Sequence, residues 1–108
     1  MPYANMPWIQ QGQLVLETGP RIPLDSPAWF RWLETATHFC YTSSRTHDRL
    51  TARKEKRRHA YYWYGYLKNA SKLHNIYLGK SPQLTSARLE QACDQLVRKA
   101  QQNQEMPI

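Results

Sequence analysis

Residues 49–80 read RLTARKEKRRHAYYWYGYLKNASKLHNIYLGK and contain the strongest strand signals in the chain. A basic segment leads into an aromatic run, and a polar turn then leads into a shorter run in which apolar and polar residues alternate. Aromatic and alternating stretches separated by turn residues are typical of β-strands. We therefore predict that this stretch forms a twisted antiparallel sheet at the centre of the domain.

The positive charge of the chain is concentrated in the same stretch. Residues 45–80 contain ten Lys and Arg against two acidic residues, a net charge of +8, whereas the whole chain of 108 residues carries +7. A positive field centred on one sheet indicates an anionic partner, and nucleic acid phosphates are the first candidate. Charge alone does not separate DNA from RNA or from anionic lipid.

The aromatic strand, residues 61–68, permits two orientations, because alternate side chains of a strand point to opposite faces of the sheet. We prefer the orientation in which Tyr62, Tyr64 and Tyr66 face the core, since three tyrosines make the larger core stripe. Gly65 would then lie on the outer face, where it lets another backbone approach closely. The opposite orientation, with the tyrosines outward, stays open at this point.

Two helices are predicted to pack on the sheet. The first begins at Ser26 or Asp25, with Pro27 in its first turn, where the missing N–H costs nothing. The second lies within residues 84–100, where apolar residues recur at three- and four-residue steps. The predicted fold class is α+β, with a three- to four-stranded antiparallel sheet, a short N-terminal helix and a covering C-terminal helix in residues 24–100.

The two ends of the chain are predicted to lie outside this domain. Four of the seven prolines fall in residues 1–24, so we interpret residues 1–23 as an extended Pro-rich arm. Residues 101–108 are predicted to be a polar tail. No apolar run approaches the roughly 18 residues of a membrane span, and the first residues lack the pattern of a signal peptide. We expect a cytoplasmic protein, nucleoid-associated if DNA is its ligand, whose cysteines are free thiols.

The strand–turn–strand pattern of residues 61–81 resembles the arm-DNA-binding domain at the N-terminus of phage-type tyrosine recombinases. Residues 26–34, 62–66 and 77–81 also resemble a segment of bacterial LuxR-type transcriptional regulators and of small stand-alone proteins. In the recombinase modules the outer face of a three-stranded sheet enters the major groove, and the helix stays behind it. The resemblance, which extends over residues 24–98, implies a role in transcriptional regulation or as a recombination or mobile-element accessory factor. The recombinase catalytic domain has no counterpart in the sequence.

The resemblance also implies which residues contact DNA. Carried over residue by residue, the outer face comprises Arg49, Thr51, Arg53, Trp63, Gly65, Leu67, Lys72 and His74. Arginine forks suit guanine edges and phosphates, while lysines suit phosphates. These two preferences add Lys54, Lys56, Arg57, Arg58, Lys68 and Lys80. Leu67 departs from the pattern of such modules, which often carry a basic residue there. We therefore expect the central strand to make fewer phosphate contacts than the resemblance implies.

Double-stranded DNA binding through this outer face is the function that the sequence favours, and two alternatives stay open. Single-stranded DNA or RNA could stack on the sheet aromatics, and this alternative gains support if the tyrosines face outward. A protein-interaction subunit, or a homodimer, could use tryptophans as anchors.

An enzyme, a cofactor, a metal site and a membrane partner are not expected. The four histidines fall at no metal-ligand spacing, and no CxxC pair is present. Gly79-Lys80-Ser81 lacks the preceding glycine and loop of a nucleotide-binding site.

Overall fold

The computed structural model describes residues 6–69 and 72–104, and these form a seven-stranded sheet with two helices on one side. The strand order is β3-β2-β1-β4-β5-β6-β7. In chain order, the elements are β1 (Trp8–Gln10), β2 (Gln13–Val15), β3 (Ile22–Pro23), α1 (Pro27–Thr35), β4 (His38–Thr42), β5 (Arg49–Arg57), β6 (Ala60–Asn69), β7 (Lys72–Gly79), a short 3-10 helix (Ser81–Gln83) and α2 (Ser86–Gln104).

The sheet is larger than predicted, and it is mixed. Strand β1 pairs with β4 in parallel, whereas the other neighbouring strands are antiparallel. The prediction of a three- to four-stranded antiparallel sheet is therefore wrong. It missed the strands that precede α1, and these add a second half to the sheet beside the predicted one.

The additional strands come from the Pro-rich segment, so the interpretation of residues 1–23 as an extended arm is wrong for its described part. Ile9 and Leu14 are fully buried. A tight turn joins their strands through Gln11 and Gly12, whose φ angles are 55° and 74°. Strands of three residues are too short to show a period in the sequence. They form because β1 pairs with β4, β2 pairs with β1, and both strands bury apolar side chains in the shared core.

Helix α1 begins where the sequence predicts, since the Ser26 hydroxyl accepts a hydrogen bond from the Trp29 N–H at 3.2 Å. Trp29 is fully buried and packs edge-on against Phe39, with ring centroids 5.4 Å apart. Phe39 in turn packs against Trp63 of β6 at 5.2 Å. These rings join α1 to the sheet and form the centre of the core.

Helix α2 covers the same side of the sheet. Its buried residues are Leu89, Ala92, Cys93, Leu96 and Ala100, and they belong to the apolar stripe predicted from the sequence. Its first turn is capped by the Thr85 hydroxyl, which accepts from the Arg88 N–H at 3.2 Å. Residues 101–104 continue this helix, so the prediction of a polar tail is wrong for these four residues, and the rest of the predicted tail, residues 105–108, lies outside the described residues.

Strand β7 forms one edge of the sheet, and α2 supplies hydrogen-bond donors to that edge. Arg88 donates to the carbonyl of Tyr77 at 2.6 Å and to that of Leu78 at 3.3 Å. Lys99 donates to the carbonyl of Asn75 at 3.3 Å. The opposite edge is β3, which has only two residues, one of them Pro23.

Candidate nucleic-acid interface

The register of β5, β6 and β7 decides which side chains share a face. Arg53 lies opposite Tyr64, and Tyr64 lies opposite Tyr77 on the other side of β6. Alternate residues point the same way, so one face is fixed by these pairs. We call the side away from the helices the open face, because neither helix of the described chain lies on it. On β5 to β7 it carries Arg49, Thr51, Arg53, Glu55, Arg57, Tyr62, Tyr64, Tyr66, Lys68, Leu73, Asn75 and Tyr77.

The preferred orientation of the aromatic strand is therefore wrong. Trp63 is fully buried, and Leu67 packs against the core on the same side. A side chain on Gly65 would place its Cβ 3.4 Å from Ile76 Cγ2 and 3.5 Å from Leu78 Cδ2. The space above Gly65 is thus bounded by core side chains, which leave room for a Cβ and none for an external backbone.

His74 was also predicted to contact DNA, and it too lies on the helix-covered side. It is only 5% exposed and sits opposite Leu67. Lys72 lies at the start of β7 on the same side and is exposed. Of the residues implied by the resemblance, Arg49, Thr51 and Arg53 are the ones on the side away from the helices.

Cations and tyrosines alternate across the open face. The Arg53 guanidinium lies 5.6 Å from the ring centroid of Tyr66, and that of Arg57 lies 5.1 Å from the ring of Tyr64. The ammonium of Lys80, just beyond the end of β7, lies 5.6 Å from the ring of Tyr62. Cations at these distances are attracted by the ring faces and stay near the sheet while their charge faces solvent.

The tyrosines also pack on one another. Tyr77 is 47% exposed and lies 5.5 Å from Tyr64 and 6.0 Å from Tyr62, centroid to centroid, with tilted or edge-on rings. Tyr62, Tyr64 and Tyr66 are half-buried. The result is a surface of aromatic rings and guanidinium groups that remains accessible to a ligand.

Glu55 is a single carboxylate among these cations, and it is the only acidic residue in the described parts of strands β4 to β7. Its Oε1 accepts a hydrogen bond from Arg57 at 2.6 Å, and its Oε2 accepts one from the hydroxyl of Tyr66. The bond from Tyr66, supported by the charges of Arg57 and Arg53, lowers the pKa of Glu55 below its ordinary value. Glu55 is therefore ionised at neutral pH.

The other predicted cations are dispersed. Lys54 points to the helix side, where its ammonium donates to the carbonyls of Leu33 at 2.7 Å and Glu34 at 3.0 Å, at the end of α1. Burial lowers the pKa of Lys54, and this amine serves the fold instead of a ligand. Lys56 is exposed on the helix side, and Arg58 occupies the turn before β6 with a φ of 59°. Lys68 is exposed on the open face.

Sequence reasoning kept the outward orientation of Tyr62, Tyr64 and Tyr66 only as an alternative, and it did not place Tyr77 or Glu55 at the site. A signal for the correct orientation was present in β7. Ile76 and Leu78 are aliphatic and alternate with Asn75 and Tyr77, and they belong on the buried side. In the observed register Gly65 pairs with Ile76, so Trp63, Gly65 and Leu67 lie on the same side as these aliphatic residues.

Comparison of the chain with protein families, with curated proteins and with solved structures gives no significant match. The likeness to recombinase arm-binding domains and to LuxR-type regulators therefore stays a prediction. Within residues 6–69 and 72–104, no group of three or more His, Cys, Asp or Glu is arranged to hold a metal ion. No helix in the described part of the chain combines the length and the apolar character needed to cross a membrane.

Proposed function

We propose that the chain binds single-stranded nucleic acid on the open face of its sheet. The observation that carries this proposal is the outward row of Tyr62, Tyr64 and Tyr66 with arginines over two of the rings. Base–aromatic stacking contributes about 1–3 kcal/mol per base and tolerates any sequence, because every base has a π-face. Cations beside the rings would neutralise the phosphates of the same strand.

The spacing of the tyrosines supports a single strand as the ligand. Residues two apart in a strand are separated by about 7 Å, from a rise of about 3.3–3.4 Å per residue. An extended nucleotide chain can match that separation with one base on each tyrosine. Tyr77 of β7 widens the platform beside Tyr64, so a base has a ring on more than one strand.

The breadth of the sheet argues against insertion into a DNA groove, which was the function favoured by the sequence. Seven strands at about 4.7–4.9 Å spacing make a face about 28 Å across, whereas the major groove is about 12 Å wide. A narrower sheet of three strands would fit. Here β4 and β1 continue the same sheet beyond β5 and would meet the phosphate backbones first.

The proposal is tested by titrating the protein with single-stranded DNA, RNA and duplex DNA of equal length at two salt concentrations. We expect single strands to bind more tightly than duplex, with an affinity that falls as salt rises. Tighter binding of duplex would contradict the stacking proposal and favour insertion into a groove, in line with the recombinase resemblance. Absence of binding to all three would make the open face a solvated surface and favour a protein partner.

A pair of variants assigns the binding to the open face. Tyr64→Leu should weaken single-strand binding about tenfold or more, because it removes one stacking ring. Tyr61→Leu is the matched control, since Tyr61 lies in the same strand, is 56% exposed and belongs to the helix side. Equal reductions of affinity in the two variants would show that the tyrosines act without regard to face.

A further inference from the structure

A recess of about 520 Å³ lies beside the open face, where β4 begins next to β5. Its lining consists of Met6, Thr37, His38, Arg53, Lys54 and Glu55. Arg53 and Glu55 are open-face residues, so the recess is continuous with the tyrosine surface. If a single-stranded nucleic acid lies on the tyrosines, one of its bases could enter this recess while its neighbours stay stacked on the rings.

The polar groups of the recess are unequally available. The ammonium of Lys54 is held by the carbonyls of Leu33 and Glu34, and Thr37 Oγ1 lies 2.9 Å from His38 Nδ1. The charged groups that remain for a ligand are the carboxylate of Glu55 and the guanidinium of Arg53. The carboxylate offers two acceptor oxygens, and the guanidinium offers several N–H donors.

Glu55 is held in place and still has acceptor capacity. Each of its oxygens accepts one hydrogen bond, from Arg57 and from Tyr66, and each carboxylate oxygen can accept about two. Its side chain is 27% exposed. A negative charge at this place opposes phosphate binding, so a surface that recognised phosphates alone would gain by lacking it.

Resting on the proposed function, we propose that this recess selects guanine within a bound single strand. Glu55 would accept the N1–H and one N2–H of the base, and Arg53 would donate to O6 or N7. Guanine is the one common base with two adjacent N–H donors on its Watson–Crick edge. Adenine and cytosine place a lone pair beside their amino group, and thymine and uracil flank one N–H with two carbonyls, so each would set an acceptor against the carboxylate.

The test uses the whole chain and thymine-tract oligonucleotides that carry one central dG, inosine, dA or dC, with the all-thymine tract as reference. Inosine lacks only the N2 amino group of guanine. We expect the dG oligonucleotide to bind about tenfold more tightly than the inosine one, because inosine cannot make the second hydrogen bond to the charged acceptor. This comparison needs no variant, so it does not depend on the folding of a mutant.

Glu55→Gln should abolish the difference between dG and inosine and raise the affinity for the all-thymine tract about twofold, since a negative charge is removed. Glu17→Gln is the charge-matched control in an exposed loop and should retain the difference. Equal binding of dG and inosine by the unaltered protein, or an unchanged difference in Glu55→Gln, would overturn the inference while the all-thymine tract still binds. Failure to bind the all-thymine tract would overturn the proposed function as well.

Discussion

The two sides of strand β6 have opposite characters although their residues alternate in sequence. On one side Trp63 is fully buried, and Gly65 leaves room for Ile76 and Leu78. On the other side Tyr62, Tyr64 and Tyr66 lie half-exposed among cations. The aromatic residues of this one strand thus alternate between packing in the core and lining the open face. Substitutions one residue apart should therefore separate stability from binding.

The largest effect on stability is expected when a buried side chain of β6 is truncated. Trp63→Ala should lower the free energy of unfolding by about 3–5 kcal/mol, because it leaves a cavity among Phe39 and its neighbours. It also removes the hydrogen bond from Trp63 Nε1 to Ser81 Oγ at 2.9 Å. Tyr64→Ala should cost about 1 kcal/mol, typical of a partly exposed site. Urea denaturation followed by circular dichroism measures both, and similar reductions in stability would show that the two sides of β6 contribute equally to the fold.

The next effect is expected at Gly65, where side chains of different size test whether this position faces the core or the ligand. Gly65→Val should cost about 1–3 kcal/mol in unfolding free energy, because its methyl groups meet Ile76, Leu78 and Leu50. Gly65→Ala is the matched control, since its Cβ would lie at ordinary van der Waals distance from these side chains. If Gly65→Val kept its stability while its affinity for nucleic acid fell, Gly65 would belong to the ligand surface after all.

A smaller effect is expected from the charges of the open face. The double variant Arg53→Gln/Arg57→Gln should weaken single-strand binding and flatten the slope of log affinity against log salt by about 0.7 for each phosphate that the protein no longer neutralises. The double variant Arg31→Gln/Arg98→Gln removes the same charge from exposed helix positions and should leave the slope near its original value. Fluorescence anisotropy at several salt concentrations gives the slopes. Equal slopes in the two variants would mean that net charge, and not its location, governs binding.

The smallest effect is a difference in labelling rate between the two cysteines, which lie on opposite sides of the sheet. Burial, with the neighbouring charge of Asp48, raises the pKa of Cys93 to about 12, whereas the half-buried Cys40 lies on the side away from the helices. Cys40 should react slowly with a maleimide in the folded protein, because burial also raises its pKa. Cys93 should react only after unfolding. Mass spectrometry of the labelled protein measures both rates, and fast labelling of Cys93 would contradict its packing under α2.

Some of this structure was predictable from the sequence and some was not, for identifiable physical reasons. The start of α1 was predictable because Ser26 and Pro27 are local signals. The first three strands were not, because they are held to the rest of the sheet by the pairing of β1 with β4, which is remote in sequence. The orientation of β6 failed for another reason. Tyrosine is both apolar and polar, so periodicity alone could not say which aromatic set was buried, and only the aliphatic residues of β7 decide it.

The cations of the candidate site were predictable from the sequence, whereas its tyrosines and its carboxylate were not. Arg53 and Arg57 were identified from the basic run, and they do lie on the open face. The preferred orientation assigned Tyr62, Tyr64 and Tyr66 to the core, and Glu55 was not among the predicted site residues. Glu55 and Tyr66 are 11 residues apart, and their hydrogen bond depends on the strand register. That register becomes visible only when the sheet is assembled.

The donors that α2 supplies to β7 have a consequence for assembly. An edge strand with free carbonyls is a template on which a second chain can add a strand. The carbonyls of Asn75, Tyr77 and Leu78 are already occupied by Lys99 and Arg88, and proline occupies the opposite margin. If the chain binds nucleic acid as proposed, several copies could therefore lie along one strand without their sheets pairing edge to edge.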